Sequence, residues 1–438
     1  MRQILLLCIT LVTAGTLCAQ NFSEGKMDSL FTILKQKDKY MGSIALSENG
    51  KIIYTNAVGF ADIEAAKKAD TQTRYRIGSV SKLFTATLVM KAVEEKKISL
   101  QHTLDAYFPK IKNSDKITIH QLLNHRSGIH NFTDDDEYFE YYTQPQTKSQ
   151  VLKIIERGNS DFEPDTKAAY SNSNYVILGY ILESIYKKEY PIILNEKITK
   201  PTNLTNTFVG GKINPNKNEA FSYDFKETWQ KEPETDLSIP AGAGALVSTP
   251  TDLVRFIESL FNGKIISQKS LEIMKTIKDG YGSGMFELPN TNKTNYGHDG
   301  VIDRFNSLVT YVPADKLAIA VISNGGVYKN ENILLCAVNS YYDKPFELPT
   351  FENLMVSIKI LEQYTGEYSS EQLPIKITVG IDENQLTAQA TGQKAFHLEA
   401  SSETVFKFEK AGIVLEFDAQ KNQMILKQAG KEFKLNKQ

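Results

Sequence analysis

Apolar positions along this chain change texture twice. In residues 29–39, Leu30, Phe31, Ile33 and Leu34 recur at helical spacing and predict an amphipathic helix. Residues 43–47 and 51–58 are β-rich runs flanking Glu48-Asn49-Gly50, and Asn-Gly between such runs predicts a hairpin. Residues 83–97 return to helical spacing, with Phe84, Leu88, Val89 and Ala92 on one side. Residues 104–288 read mostly as helices and loops. Strands come back at 307–312 and 317–323, joined by the turn Pro313-Ala314-Asp315-Lys316. Strands at both ends with helices between them predict one antiparallel sheet assembled from both ends and covered by helices. A helical insertion then lies to one side, with a site at the seam. Pro345 and Pro349 mark a boundary. Beyond Gln363 short alternating runs take over, at 375–379, 386–390, 396–400, 405–408, 414–417, 424–427 and 432–435. Gly and Asn turns separate them, which predicts a small all-β barrel or sandwich. The fold class is α/β of the α+β type with an appended barrel, divided into 20–345 and 346–438.

The first residues set an expectation about location. Arg2 precedes an almost wholly apolar stretch, 4–12, and Ala14, Gly15 and Ala19 are small. This predicts a signal peptide over 1–19 and an exported, periplasmic or secreted protein. A lipid anchor on Cys18 is the less favoured alternative, because the small-residue run expected of a lipoprotein signal is missing. No later stretch predicts a membrane span. Net charge is −2, from 50 basic and 52 acidic side chains, which gives no electrostatic case for nucleic-acid binding. Cys336 is the one cysteine outside the leader, so no internal disulfide is expected, and its apolar neighbours predict an inert core thiol. Nothing in the sequence sets an oligomeric state.

Chemistry concentrates in three short motifs. In Arg76-Ile77-Gly78-Ser79-Val80-Ser81-Lys82, Ser79 opens a helix, and Lys82 lies three residues on, so both share one face. A serine hydroxyl is a weak nucleophile until a neighbour takes its proton, and a lysine with a lowered pKa can do so. Alone, such a pair is most often an N-cap serine with a solvated lysine. Tyr170 and Asn172 then form Tyr-x-Asn on a loop before an apolar helix. A phenol can shuttle a proton, and an amide can orient a carbonyl. Tyr296-Gly297-His298-Asp299-Gly300-Val301 follows. His298 can donate to a substrate carboxylate or to Tyr170. Gly300 lets a substrate backbone approach, and the N–H groups of Ser79 and Val301 can form an oxyanion hole.

In this order and spacing, the three motifs resemble the serine β-lactamase-related family. It includes class C β-lactamases, low-molecular-mass penicillin-binding proteins, D-aminopeptidases and some esterases. The resemblance runs from about Leu30 to Tyr341 and includes the segment 117–129, which ends His125-Arg126-Ser127-Gly128-Ile129. It implies a β-lactamase/transpeptidase-like sheet flanked by helices, acylation of Ser79, proton handling by Lys82 and Tyr170, and substrate contact by Asn172. It implies no cofactor, and a small peptide, amide or ester as substrate. D-alanyl-D-alanine carboxypeptidase or D-amino-acid peptidase activity is the favoured expectation. An esterase, a weak β-lactamase or a non-catalytic binding protein are the alternatives. Several peptidase-like members carry a lipocalin-like C-terminal module, which the tail resembles in length and texture. The chain departs from the family pattern at three places. His298 stands where β-lactamases usually carry the Lys of Lys-Thr-Gly. Asp165 and Arg304 stand where Gly is frequent. Arg304 either binds a substrate carboxylate or caps a surface turn.

Other signals point away from other chemistries. His120, His125 and His130 recur every five residues, which does not bring three imidazoles to one helical face, so no metal is expected. There is no Gly-x-Ser-x-Gly. The run 241–245 of Ala and Gly lacks a phosphate-loop lysine and predicts a tight loop near the site, while residues 134–137 predict a solvated acidic loop.

Overall fold

The structure is a computed structural model that describes residues 22–226, 228–288, 293–351, 356–408, 411–428 and 430–438. The expected signal peptide lies outside the described residues. Among the described residues, no helix is long and apolar enough to cross a membrane.

Five strands form the central antiparallel sheet: β1 (Tyr40–Glu48), β2 (Lys51–Val58), β3 (Tyr296–Ile302), β4 (Phe305–Val312) and β5 (Leu317–Gly326), in the order β3-β4-β5-β1-β2. The sheet is built from both ends of its region, as expected, and β1 pairs with β5 through Ile44 opposite Val321. Strand alternation sends side chains to two cores. Ile319 and Val321 join Leu30, Phe31 and Leu34 of α1 (Glu24–Gln36) on one face. Ala318, Ala320 and Ile322 join the helical layer on the other. Burial on both faces explains why β1 reads as a nearly continuous apolar run.

Helix α2 (Ser81–Glu94) runs through the middle of that layer and is apolar nearly all round, as a helix buried on every side must be. Its Phe84 stacks on Phe256 of α4 (Pro250–Phe261), which packs on the sheet; α3 (Asn172–Tyr186) lies against α2. The region 104–288 is not only helix and loop. Short strands Phe208–Val209, Tyr75–Arg76 and Leu246–Ser248 make a second small sheet beside the turn that carries Ser79, and Tyr223–Phe225 pairs with Trp229–Lys231.

The tail is a nearly closed barrel of nine strands, against seven expected runs. Gly366–Ser370 escaped detection because Tyr368 is its one buried side chain. The run 396–400 splits into Phe396–His397 and Glu399–Ala400, which are the two ends of the sheet. Between them the buried Leu398 bonds its N–H to the Leu386 carbonyl, so the gap in the barrel is one residue of chain. The helix Ile358–Tyr364 contributes Leu361 and Tyr364 to the barrel core.

Candidate active site

Ser79 sits in a one-turn 3-10 helix, Gly78–Val80, that feeds α2. Two glycines let this turn lie against edge strand β3. Gly78 has φ +45°, and a Cβ there would stand 2.8 Å from the Val301 carbonyl oxygen. A Cβ at Gly300 would stand 2.4 Å from the Ile77 oxygen and 2.7 Å from the Ser79 nitrogen. Either side chain would push strand and turn apart. The Ser307 hydroxyl donates to the Ile77 carbonyl at 2.7 Å and fastens the turn to β4.

Lys82 is fully buried on the first turn of α2. Its Nζ donates to Ser79 Oγ at 3.0 Å, to Asn172 Oδ1 at 2.8 Å and to the Ala243 carbonyl at 2.8 Å. Burial holds the Lys82 ammonium well below its ordinary range, and the negative charge of Asp299 offsets part of that. The neutral amine is therefore accessible, with two N–H groups for the two carbonyls and a lone pair for the Ser79 hydroxyl. The Tyr170 hydroxyl donates to Ser79 Oγ at 2.7 Å. Burial pushes this phenol well above its ordinary range, so it stays protonated.

Asn172 is the first residue of α3 rather than a loop residue, and its amide is fully engaged. Oδ1 accepts from Lys82, and Nδ2 donates to Thr133 Oγ1 at 2.9 Å. Its backbone N–H donates to Asn131 Oδ1 at 2.8 Å. The side chain expected to meet substrate thus orients the lysine, although it also lines the cleft. His298 is 2% exposed, with its ring 4.6 Å from Phe286 and 6.5 Å from Tyr170. Its Nδ1–H donates to the Asp299 carbonyl. Burial, and then the Lys82 charge, lower its pKa to about 3, so it is neutral. With the ring neutral and its hydrogen on Nδ1, Nε2 can only accept, so, contrary to expectation, His298 is not set to donate to a substrate carboxylate or to Tyr170. Val301 is 62% exposed at the rim. Arg304 lines the cleft and lies 3.4 Å from Asp224.

Two cavities meet at Ser79. One, of about 360 Å³, is bounded by Phe132, Tyr138, Phe139 and Tyr142, by the loop carrying Pro233 and Pro240, and by Val301 and Arg304. The other, of about 710 Å³, holds Tyr170, Tyr281 and the carboxylates of Asp134, Asp279 and Asp299. Asp134 is exposed, as expected of the acidic run 134–137, and also borders this cavity.

Asn131 and Thr133 carried no sequence signal, whereas His125 was marked by the segment 117–129 and Ala243 by the run 241–245. His125 stacks on Tyr170 at 4.6 Å between ring centroids. Its Nδ1 accepts the Ser171 N–H at 3.2 Å. Asn131 and Thr133 hold Asn172 from a segment 40 or so positions away, which only packing reveals. Ala243 belongs to the small-residue run, whose lack of side chains is what brings its carbonyl to Lys82. Among the described residues, no cluster of potential metal ligands occurs. Cys336 is buried, and burial raises its thiol to about 11.

A serine hydrogen-bonded to a buried lysine and a phenol, set between a helix start and the edge of an antiparallel sheet, is the arrangement of the β-lactamase/transpeptidase-like serine hydrolases. The chain belongs to the Beta-lactamase family, a family of serine hydrolases, whose pattern matches residues 32–334. The teichoic acid D-alanine hydrolase of Staphylococcus aureus is 28% identical over 281 residues, 61% of this chain and 69% of that protein. D-amino acid amidase from Ochrobactrum anthropi SV3 is similar in structure, with TM-score 0.60, 27% identity, and coverage of 72% of this chain and 98% of the other. The octameric penicillin-binding protein homologue from Pyrococcus abyssi aligns with TM-score 0.68 at 24% identity over 94% of this chain and 100% of its own, and so shares the fold through the barrel. The chain spans 63% of the length of another curated relative from Staphylococcus aureus.

Proposed function

We propose that the protein is an exported serine hydrolase that forms an acyl-enzyme on Ser79 and cleaves a D-aminoacyl amide, peptide or ester bond. The observation that carries this is the pair of hydrogen bonds at Ser79 Oγ, from Lys82 and from Tyr170, with the other Lys82 N–H groups held by Asn172 and Ala243. Neutral Lys82 takes the Ser79 proton as Oγ bonds to the substrate carbonyl carbon. The resulting ammonium still has three acceptors, so protonation leaves no N–H unpaired. The backbone N–H groups of Ser79 and Val301 stabilise the oxyanion. Tyr170 passes its proton to the leaving oxygen or nitrogen as the bond to carbon breaks and regains one from the Lys82 ammonium through Ser79 Oγ. Water then attacks the acyl carbon, neutral Lys82 takes its proton, and that proton returns to Ser79 Oγ as the acyl bond breaks.

The D-aminoacyl preference draws on the two relatives whose names specify D-alanine and D-amino acid amides. The same reading takes 1–19 as the export signal, 20–345 as the catalytic unit and 346–438 as an appended barrel. Arg304 favours a second reading, a carboxypeptidase, because it is the cation lining the smaller cavity and can hold a substrate carboxylate. Intact mass after exposure to a fluorophosphonate and, separately, to a β-lactam tests both. We expect a fluorophosphonate adduct on Ser79 together with turnover of D-alanyl amides or esters. A lasting β-lactam adduct moves the assignment to the carboxypeptidase, and no adduct with either reagent overturns both.

A further inference from the structure

Arg76 lies three residues before the nucleophile, on the short strand Tyr75–Arg76, and its guanidinium is 2% exposed. All four terminal N–H groups are used. Nη1 donates to the Thr235 carbonyl at 2.7 Å and to Asp303 Oδ2 at 3.0 Å. Nη2 donates to the Gly211 carbonyl at 2.9 Å and to Glu234 Oε2 at 3.0 Å. The carboxylates reach further. Asp303 accepts the Thr235 N–H at 2.9 Å and the Thr235 hydroxyl at 2.6 Å, and Glu234 accepts the Ile213 N–H at 2.9 Å. One cation therefore joins the β3–β4 turn, where Asp303 has φ +54°, to the loop around 232–235.

Both segments are walls of the smaller cavity beside Ser79, which Val301, Ile302 and Arg304 line from the end of β3 and its turn, and Glu232, Pro233 and Thr235 from the loop. The two walls meet where Thr235 bonds to Asp303. Arg76 itself does not line that cavity. A buried ion cluster of this kind is weak as a source of stability, because desolvating the charges offsets most of their attraction. What it supplies is geometry. A planar guanidinium can bridge four acceptors at fixed angles, which a lysine ammonium cannot.

We propose that Arg76 is a positioning residue that sets the width of the substrate cleft, and through it the size of group accepted next to Ser79. This rests on the hydrolase reading above. The test uses the full-length chain with Arg76→Met, Arg76→Lys and Glu234→Gln. D-alanine p-nitroanilide and D-phenylalanine p-nitroanilide are the substrates. In Arg76→Met the ratio of kcat/KM between the two substrates moves about tenfold toward unity, mainly through KM, because loosened walls stop discriminating size. A merely structural role would lower both values in proportion and leave the ratio in place. Arg76→Lys behaves like Arg76→Met, and full recovery by Lys would overturn the geometric role. Glu234→Gln, at the half-open end of the cluster, shifts the ratio in the same direction by less and serves if Arg76→Met fails to fold.

Amide hydrogen exchange needs no turnover and separates failure of this proposal from failure of the hydrolase reading. In Arg76→Met, or in Glu234→Gln if that variant fails to fold, exchange in 232–238 and 300–304 rises about tenfold or more, with α2 and the barrel unchanged. Unchanged exchange in both walls, or a uniform rise across the chain, overturns the proposal whatever the activity.

Discussion

Lys82, His125, Arg126, Asn174 and His298 are buried in the sheet-and-helix region, whereas among the described residues beyond Ser340 the buried side chains are apolar apart from tyrosines. The barrel interior is instead packed with Tyr364, Tyr368, Phe406, Leu415, Phe417, Met424 and Leu435. Burying polar groups costs free energy unless each finds a partner. The larger region meets that cost with long-range hydrogen bonds, several of which converge on Ser79, while the barrel largely avoids it, its buried Tyr368 hydroxyl donating to the Tyr364 carbonyl at 2.9 Å. The contrast teaches where chemistry is housed: one region is arranged around reactive groups, the other around close packing.

The sharpest way to break this contrast is Ser79→Ala. Turnover falls on the order of 10³-fold or more with the melting temperature essentially unchanged, measured by steady-state kinetics and calorimetry. Surviving activity would show that another residue is the nucleophile. Next, Lys82→Met keeps the buried volume but removes the amine proposed as base. Acylation, followed by burst kinetics, slows about 10²-fold or more. An unchanged acylation rate in a normally folded variant would remove Lys82 from that role. On the barrel side, Phe406→Ala empties a site that is 1% exposed and costs about 3–5 kcal/mol of barrel stability in denaturant unfolding. Turnover there stays within about twofold, since the substitution is remote from the site. A matching loss of activity would mean that the barrel shapes the catalytic region.

Two smaller effects depend on pH. His298 has a pKa of about 3 in the folded protein, against an ordinary value of 6.5. The unfolded chain therefore binds more protons between those values, and stability contributed by neutral His298 is present above 6.5 and lost as pH falls toward 3. His298→Gln should flatten that part of the stability profile in equilibrium unfolding across the range. The smallest effect is expected from Asp299→Asn. Asp299 favours the charged form of Lys82, so its loss lowers the Lys82 pKa and moves the acid limb of kcat/KM to lower pH. An acid limb that stays in place would mean that another group sets it.

The same contrast governs what could be read from the amino-acid order. Alternation made the barrel legible as a class of fold, because each strand needs only a period of two. It failed at Gly366–Ser370 and at Leu398, where one buried residue is too short a pattern. Both hairpins of the central sheet were legible from turn chemistry, and β1 and β2 meet at Asn49-Gly50 as expected. Ser79, Lys82 and Tyr170 stood out because their chemistry resides in short motifs. The engaged amide of Asn172, the neutral burial of His298 and the Arg76 cluster did not. Asn172 depends on Thr133, 39 positions away, and Arg76 on Asp303, 227 away, while the ring of His298 is enclosed by the folded chain.

Lys82 also sets how the protein can be handled as a reagent. Its side chain has no solvent exposure, and every direction around Nζ is taken by Ser79, Asn172 and Ala243. Amine-reactive chemicals will meet the surface lysines long before this one. Coupling the protein to a support through its lysines should therefore leave the base untouched, with Ser79 still open to its own labels.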